Sequence, residues 1–506
     1  MTPGSVGSRA MTWLPLPLFG AWPFLAFLNH NQEDALDYGA SVLGLGAAYV
    51  VVLAVAALVA GLLFRRSARA PAVNALCVLT VMFFTYLPFS RTLAAMGVSL
   101  GTVRLSLWLI CALGLAALAW RLSRFQRASF VAALMGALLV AMPGVQLAWF
   151  AAEGAMGGRA ADAGPRVVGA QAESPPNVYW FVFDMYARAD VLEAYLGYDN
   201  GDFLAALGRR GFFVADEAVA NYSSTKLSLS TTVSMDYYLP VGPKLHPRLW
   251  TDRLQGYNAV VERFHQLGYR YIHAEPGGVN RKTRCGGREQ QCISGPTRGV
   301  LGISEAEAGL LKLTPLYPVL IVLAPGLLSF DFTGLDDVIA AVRLDAERPH
   351  FLFAHILSPH PPARFGPGCR RLTRTAWELV TEDSPKTRTA YLHDLGCLNR
   401  LILEAIDEIL ARDRSDPILI LQGDHGLKFG AAPAGASGME PWLGVHGILH
   451  AMRRPERCRD DASSRFSTVN TFRIVFACIE ETPLDLLANR VFRYRGRTLT
   501  ELVADY

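Results

Sequence analysis

The chain has 506 residues, of which 51% are hydrophobic and only 18% charged, against about 25% charged in soluble domains. Its net charge of +4 is small, and no Lys/Arg-rich tract is interleaved with aromatics, which argues against a nucleic-acid partner. The apolar excess lies in the first 150 residues, whereas the stretch 177–506 has ordinary globular composition and suffices for one large domain.

In chain order, five candidate spans come first, at about 12–29, 39–64, 72–90, 104–120 and 129–150, each near the roughly 20 residues a bilayer core requires. The first is interrupted by Pro15, Pro17 and Pro23. It has the apolar character of a signal peptide, but no small-residue cleavage site follows it and further spans do. Arg65, Arg66 and Arg69 follow the second span, and Arg121, Arg124 and Arg127 the fourth, while the loop after the first, NHNQEDALDYG, has no Lys or Arg. Positive residues stay on the cytoplasmic side, so five crossings put the C-terminal part outside. "GLG" at 44–46 falls inside a span and reads as helix packing rather than a nucleotide loop. Residues 151–176, rich in Ala, Gly and Pro, read as a linker.

Six of the eight cysteines lie in the C-terminal part: Cys285, Cys292, Cys369, Cys397, Cys458 and Cys478. An even number in an oxidising compartment favours disulfides. CGGREQQC closes a small loop, so Cys285 with Cys292 is the favoured pair; the remaining connectivity stays open.

The outer domain opens on VYWFVF, an apolar strand that runs into Asp184. FLAALGRRGFFVADEAV then reads as a helix, a Gly break and a strand. LGYRYIHAE (267–275) and RPHFLFAHILSPHPP (348–362) carry further strands, and 391–413 has apolar residues at helical spacing. ILILQG, another buried strand, stops at Gly-Asp-His-Gly. Alternating helix and strand predict an α/β fold with a central, mostly parallel sheet. The outer domain carries no Walker A sequence, GxSxG elbow or HExxH; the GxSxG at 97–101, GVSLG, falls between two candidate spans.

Asp424 and His425 admit two readings: a polar turn with glycines for tight geometry, or adjacent metal ligands at the carboxyl end of a strand. Together with Asp184 they offer carboxylate oxygen and imidazole nitrogen, the donors a hard or borderline divalent cation takes. NYSSTKLSLSTTVS (221–234) is a hydroxyl-dense stretch opening a helical segment. Its hydroxyls either cap and back-bond the helix or include a nucleophile activated by metal beside an anion-binding helix N-terminus.

The order apolar strand–Asp, Thr-x-x-Ser, Pro-His-Pro, Gly-Asp-His-Gly, His-Gly resembles the alkaline phosphatase/sulfatase superfamily. More narrowly, from Asn177 to the C-terminus, it resembles the membrane-anchored lipid A phosphoethanolamine transferases and lipoteichoic acid synthases, whose five-span anchor also matches. The resemblance implies an alkaline-phosphatase-like catalytic domain outside a bacterial inner membrane. Thr225 is the implied nucleophile, with Asp184, Thr225, Asp424 and His425 on the metal. His360 and His446 are implied at the substrate or a second metal, and Lys226 at a phosphate. The implied cofactor is one or two divalent ions (Zn, Mn, Mg or Ca). The implied partners are a phospholipid donor, a lipid or glycan acceptor and the membrane. Asp184 stands where the transferases usually carry Glu, a feature nearer to sulfatases or phosphatases; yet the outer domain carries no Cys-x-Pro-x-Arg, and its one Ser-x-Pro-x-Arg, SGPTR at 294–298, lies well after the hydroxyl-dense stretch. A hydrolase of the same superfamily is the alternative, and a catalytically inactive scaffold a third. His355, His393 and His450 read as structural. Arg188 and Asp190 either face the site or form a surface ion pair.

Overall fold

The computed structural model describes residues 11–32, 35–63, 68–125, 127–156, 175–242, 244–277, 283–294, 305–324, 332–342, 348–361, 363–372, 384–429, 440–458 and 463–506. The chain divides into two compact units, one of residues 1–158 with 303–328, the other of 159–302 with 329–506. Most of the expected linker, 157–174, falls outside the described residues.

The first unit is built from α1 (Pro15–His30), α2 (Ala35–Leu63), α3 (Arg69–Phe84), α4 (Tyr86–Ala95), α5 (Gly101–Leu122) and α6 (Ala128–Met156). Four of its helices are each long and apolar enough to cross a membrane, and α3 with α4 forms a pair bent by 57° where one straight span is expected over 72–90. Pro88, in the first turn of α4, accounts for the bend: its ring clashes with the carbonyl four residues back and it cannot donate. Inside the bundle Phe24, Leu28, Val42 and Phe84 form one apolar cluster. Leu58, Leu62, Leu113 and Leu138 point outward, exposed, as lipid-facing positions do. A Cβ on Gly46 would come 3.0 Å from Phe24 Cγ, so this glycine serves close helix packing as its context predicts. Residues 305–323, which belong by sequence to the outer domain, also pack here.

The second unit holds β1 (Val178–Phe183), β2 (Phe212–Val214), β3 (Glu217–Val219), β4 (Arg270–Glu275), β5 (Gln291–Ser294), β6 (His350–Ile356), β7 (Ile418–Gly423), β8 (His450–Arg453) and β9 (Arg465–Ser467). Seven of these strands make one sheet in the order β2-β8-β7-β1-β6-β4-β5. From β7 to β5 every pairing is parallel, and β8 and β2 add antiparallel at one edge. Layers cover both faces. Tyr179, Phe181 and Phe183 pack with Leu395, Leu398, Ile402 and Ile406 of the Pro385–Arg412 helix. Val178, Trp180 and Val182 pack with Phe264 and Phe472 on the other side. Burial on both faces is why β1, β6 and β7 are buried at every position and read as unbroken apolar runs.

Phe183 of β1 lies beside Ile356 of β6 and Gly423 of β7. The three central strands therefore stop in register, and Asp184, Leu357 and Asp424 leave the sheet at one edge, its carboxyl end, where open α/β sheets form their sites. Three disulfides, Cys285–Cys292, Cys369–Cys397 and Cys458–Cys478, all belong to this unit.

Candidate active site and metal centre

At this edge three predicted ligands meet. His425 Nε2 is 3.4 Å from Asp184 Oδ1 and 3.6 Å from Asp424 Oδ2, and all three side chains are buried. The glycines around them answer to close approach: a Cβ on Gly423 would lie 2.3 Å from the Tyr186 carbonyl oxygen, and one on Gly426 2.4 Å from that of Gly444. The turn reading of Gly-Asp-His-Gly is realised, and the turn brings both side chains to the end of the strand.

Asp424 Oδ1 accepts from the amides of Met185, at 2.9 Å, and of His425, at 2.8 Å. To donate, Met185 sits at a φ of 67°, a strained conformation for a side-chain-bearing residue of the kind that clusters at functional sites. Oδ2 of Asp424 makes no hydrogen bond among the described residues. His425 Nδ1 lies 2.8 Å from the Gly426 carbonyl oxygen. A carbonyl only accepts, so Nδ1 carries the proton and Nε2 the lone pair, and Nε2 makes no hydrogen bond either. Burial pushes the His425 imidazole down to about 3, so the ring is neutral at pH 7. Burial works to raise the Asp424 carboxyl, but the neighbouring imidazoles of His425 and His355, the Met185 amide and the nearby Thr225 hydroxyl hold it below the usual range. Two buried carboxylates and a bare imidazole nitrogen facing one another are costly unless a cation joins them. The donor set fits a divalent ion.

His355, read from sequence as structural, belongs to the same cluster. Ligand atoms of Asp184, His355 and Asp424 all lie within 4.8 Å of one another, and His355 Nε2 is 3.9 Å from Asp184 Oδ2. Its Nδ1 is 2.7 Å from Thr283 Oγ1. Its signal in the sequence was a histidine interrupting an apolar strand one residue before that strand ends. Two other groupings of metal-binding size among the described residues, His273 with Cys285 and Glu289 and Glu275 with Cys285 and Cys292, both include Cys285; its disulfide with Cys292 closes them to a cation.

Thr225 opens the Thr225–Ser234 helix behind an extended Ser224 and is 4% exposed. The back-bonding reading of the hydroxyl-rich stretch holds for part of it. The hydroxyls of Ser230, Thr232 and Ser234 donate to the carbonyls of Leu227, Ser228 and Ser230 in their own helix, whereas Thr225 lies beside Asp424. Asn221 fixes the approach to the helix. Its Oδ1 accepts from Thr468 Oγ1 and the Val469 amide, both at 2.9 Å, and its Nδ2 donates to the Arg490 carbonyl at 2.6 Å and Tyr237 Oη at 2.8 Å.

His360 and His446 repeat the tautomer of His425. Their Nδ1 atoms lie 2.6 Å from the Pro361 and 2.8 Å from the Ala220 carbonyl oxygens, so each presents Nε2. His360 is close enough to His425 to help lower its pKa. Burial pushes His446 down to about 4, and its helix caps the Gly426 turn through Gly426 N to Val445 O, 2.6 Å. Lys226 is buried beside Thr225 in sequence. Arg188 and Asp190 form a two-pronged pair at 2.7 and 2.8 Å, and Arg188 also donates to Tyr506 Oη; this is a partly buried clamp rather than a loose surface pair. His450 stacks on Phe466 at 3.7 Å between ring centres, a structural role as read.

No family model and no curated protein matches the chain. Among solved structures it is similar to the integral membrane protein lipooligosaccharide phosphoethanolamine transferase A (EptA) from Neisseria meningitidis. That match has 14% identity, covers 93% of this chain and 95% of that one, and has a TM-score of 0.41. A second similar structure is the C-terminal periplasmic domain of EcEptC from Escherichia coli in complex with Zn, at 10% identity over 66% of this chain and 94% of that one, TM-score 0.40. A third is the C-terminal periplasmic domain of phosphoethanolamine transferase EptC from Campylobacter jejuni, at 13% identity over 62% and 96%, TM-score 0.38.

Proposed function

We propose that this chain is a membrane-anchored, metal-dependent transferase that takes a phosphate-linked headgroup, phosphoethanolamine or phosphoglycerol, from a phospholipid onto Thr225 and passes it to a hydroxyl of an envelope lipid or glycan. The carrying observation is the convergence of Asp184, Asp424 and His425 beside a hydroxyl at a helix N-terminus. Asp184, Thr225, Asp424 and His425 would hold a divalent cation (Zn, Mn, Mg or Ca), whose charge lowers the pKa of the Thr225 hydroxyl and neutralises phosphodiester oxygens. His355 adds a further imidazole at its edge.

In the first half-reaction Thr225 Oγ1 attacks phosphorus and the bond from phosphorus to the glycerol oxygen breaks. Diacylglycerol leaves, its oxygen taking up the proton that the Thr225 hydroxyl gives up. The first amides of the Thr225–Ser234 helix and Lys226 favour the anion held there. In the second half-reaction the acceptor oxygen attacks phosphorus, the bond to Oγ1 breaks, and Thr225 recovers its proton. His360 and His446, each with a lone pair on Nε2, are the candidates to take the acceptor's proton. The positive-inside pattern of the spans and the three disulfides of the sheet-bearing unit support an oxidising, extracytoplasmic location for that unit on a bacterial inner membrane.

The test is mass spectrometry of the full chain, wild type and Thr225→Ala, after incubation with metal and mixed bacterial phospholipids. A headgroup-phosphate mass on the Thr225 peptide, absent from the variant, is expected, and its size names the donor. Turnover of a soluble phosphodiester or sulfate ester without that adduct would replace the transferase with a hydrolase. No adduct and no turnover would leave a scaffold.

A further inference from the structure

Residues 313–330, LTPLYPVLIVLAPGLLSF, carry no charge over 18 positions, yet they lie in the connection between β5 and β6 of the sheet-bearing unit. The structure places the described part of this connection elsewhere. The Glu305–Lys312 and Leu316–Leu323 helices cluster with the first 158 residues and bend 104° apart across Leu313 to Pro315.

The first arm is seated. Leu310 is buried with Phe24, Leu28, Val42 and Phe84, and Ala306 and Leu313 pack against the same cluster. A Cβ on Gly309 would touch Phe27 Cζ at 3.3 Å. The Leu313 carbonyl accepts from the Leu87 amide at 3.3 Å, pairing a group at the hairpin's turn with a first-turn amide of α4 that its own helix cannot satisfy. Thr314 Oγ1 closes the turn onto the Leu311 carbonyl at 2.8 Å. These polar groups are satisfied within the protein.

The second arm is only partly covered. LYPVLIVL has no fully buried residue; Tyr317 to Ile321 are half-buried, and Val322 and Leu323 are each 77% exposed. Single exposed leucines are ordinary; an uncharged helix that ends in so exposed an apolar pair is not. Its length decides between spanning and dipping. Eight residues rise about 12 Å, less than half of a roughly 30 Å hydrocarbon core. Lys312, 5.6 Å from the Tyr317 ring centre at the bend, supplies the cationic and aromatic pair that anchors at a headgroup level.

We infer that the 305–323 hairpin is a re-entrant anchor, its second helix immersed in lipid acyl chains of one leaflet. It gives the sheet-bearing unit a second attachment to the bilayer, besides the connection after α6. This rests on the reading that α1–α6 span a membrane and is independent of the transferase chemistry.

The test is spin-label accessibility in the full chain, reconstituted in phospholipid vesicles, in a Cys77→Ala, Cys111→Ser background that keeps the three disulfides. Labels go on Val322→Cys and Leu323→Cys. Leu113→Cys, 56% exposed on α5, is the lipid reference, and Tyr257→Cys, 52% exposed in the sheet-bearing unit, the aqueous one. The ratio of collisions with oxygen to collisions with a water-soluble nickel chelate should match position 113 and exceed position 257 several-fold. A ratio at 322 and 323 like that at 257 would put the hairpin in water and overturn the inference. Low access to both reagents would mean that protein, not lipid, covers it, and would overturn it equally.

Discussion

Asp424 is surrounded by groups that favour its anion, yet one of its oxygens is left bare beside a bare imidazole nitrogen. A cation relieves that arrangement, so binding should be linked to stability. Adding Zn or Mn to chelator-treated protein should raise its thermal unfolding midpoint, and Asp424→Asn should abolish the increment. The asparagine keeps an oxygen for the Met185 and His425 amides, so the fold survives while metal affinity, read by equilibrium dialysis and elemental analysis, drops by at least about tenfold. An unchanged metal content in the variant would remove Asp424 from the ligand set. Gly426 makes a second prediction. An alanine there would push its Cβ within 2.4 Å of the Gly444 and 2.7 Å of the Gly447 carbonyl oxygens, both backbone. Gly426→Ala should cost about 1–3 kcal/mol and disturb the loop that carries His425 and His446. Gly208→Ala, in a helix with nothing within 4 Å of the added carbon, should be neutral or stabilising by up to about 1 kcal/mol. Denaturant titrations of the pair decide; equal effects would refute the close-approach account.

Strands β1 and β7 were legible because a parallel strand covered on both faces must be apolar throughout, so a carboxylate straight after one stands out. The same rule hid His355: within a wholly buried strand a histidine reads as core, and only the register that brings β6 beside β1 shows that it meets Asp184. The bend between α3 and α4 was written in Pro88, but a hydropathy window averages over it. The 305–323 hairpin escaped because its apolar run is broken by Pro315, Pro318 and Pro325 and lies within the sequence of the outer domain, far from the other spans. Least legible was what holds the Thr225–Ser234 helix. Asn221 is fully buried and joins the Val469 amide and the Arg490 carbonyl across more than 240 residues of sequence. Asn221→Ala strands both of those groups, at a cost of about 2–3 kcal/mol. Because it acts on Thr225 through the helix, it should lower kcat with little change in KM, whereas a purely global loss of stability would reduce the amount of active protein and leave the kcat of the folded fraction intact. Active-site titration with the adduct-forming lipid separates the two.

Across the whole molecule, oxidised and reduced cysteines separate cleanly. The three disulfides belong to the sheet-bearing unit and the two free thiols, Cys77 and Cys111, to the helical one. In the outer compartment proposed for it, this domain would meet variable pH, and its histidines set how it responds. His273 and His350 are buried by the sheet and pushed down to about 4, and His450 to about 3, burial being the main cause for each. Neither ring nitrogen of His350 has a hydrogen-bond partner among the described residues, and its ring meets Tyr179 edge-on at 4.9 Å. The folded state therefore holds these rings neutral, while the unfolded chain protonates them near 6.5. Below that pH the unfolded state binds more protons, so stability falls as the pH falls. The full contribution is present above about 6.5 and is lost progressively down to the folded values, by up to about 3 kcal/mol for a ring moved from 6.5 to about 4. The unfolding midpoint of the purified protein should accordingly drop between pH 6.5 and 4. His350→Phe, which keeps the aromatic contact and removes the titration, should flatten that slope by one histidine's share. A variant whose slope equals the wild type's would mean that His350 is protonated in the fold, and the burial account of the sheet's histidines would fail with it.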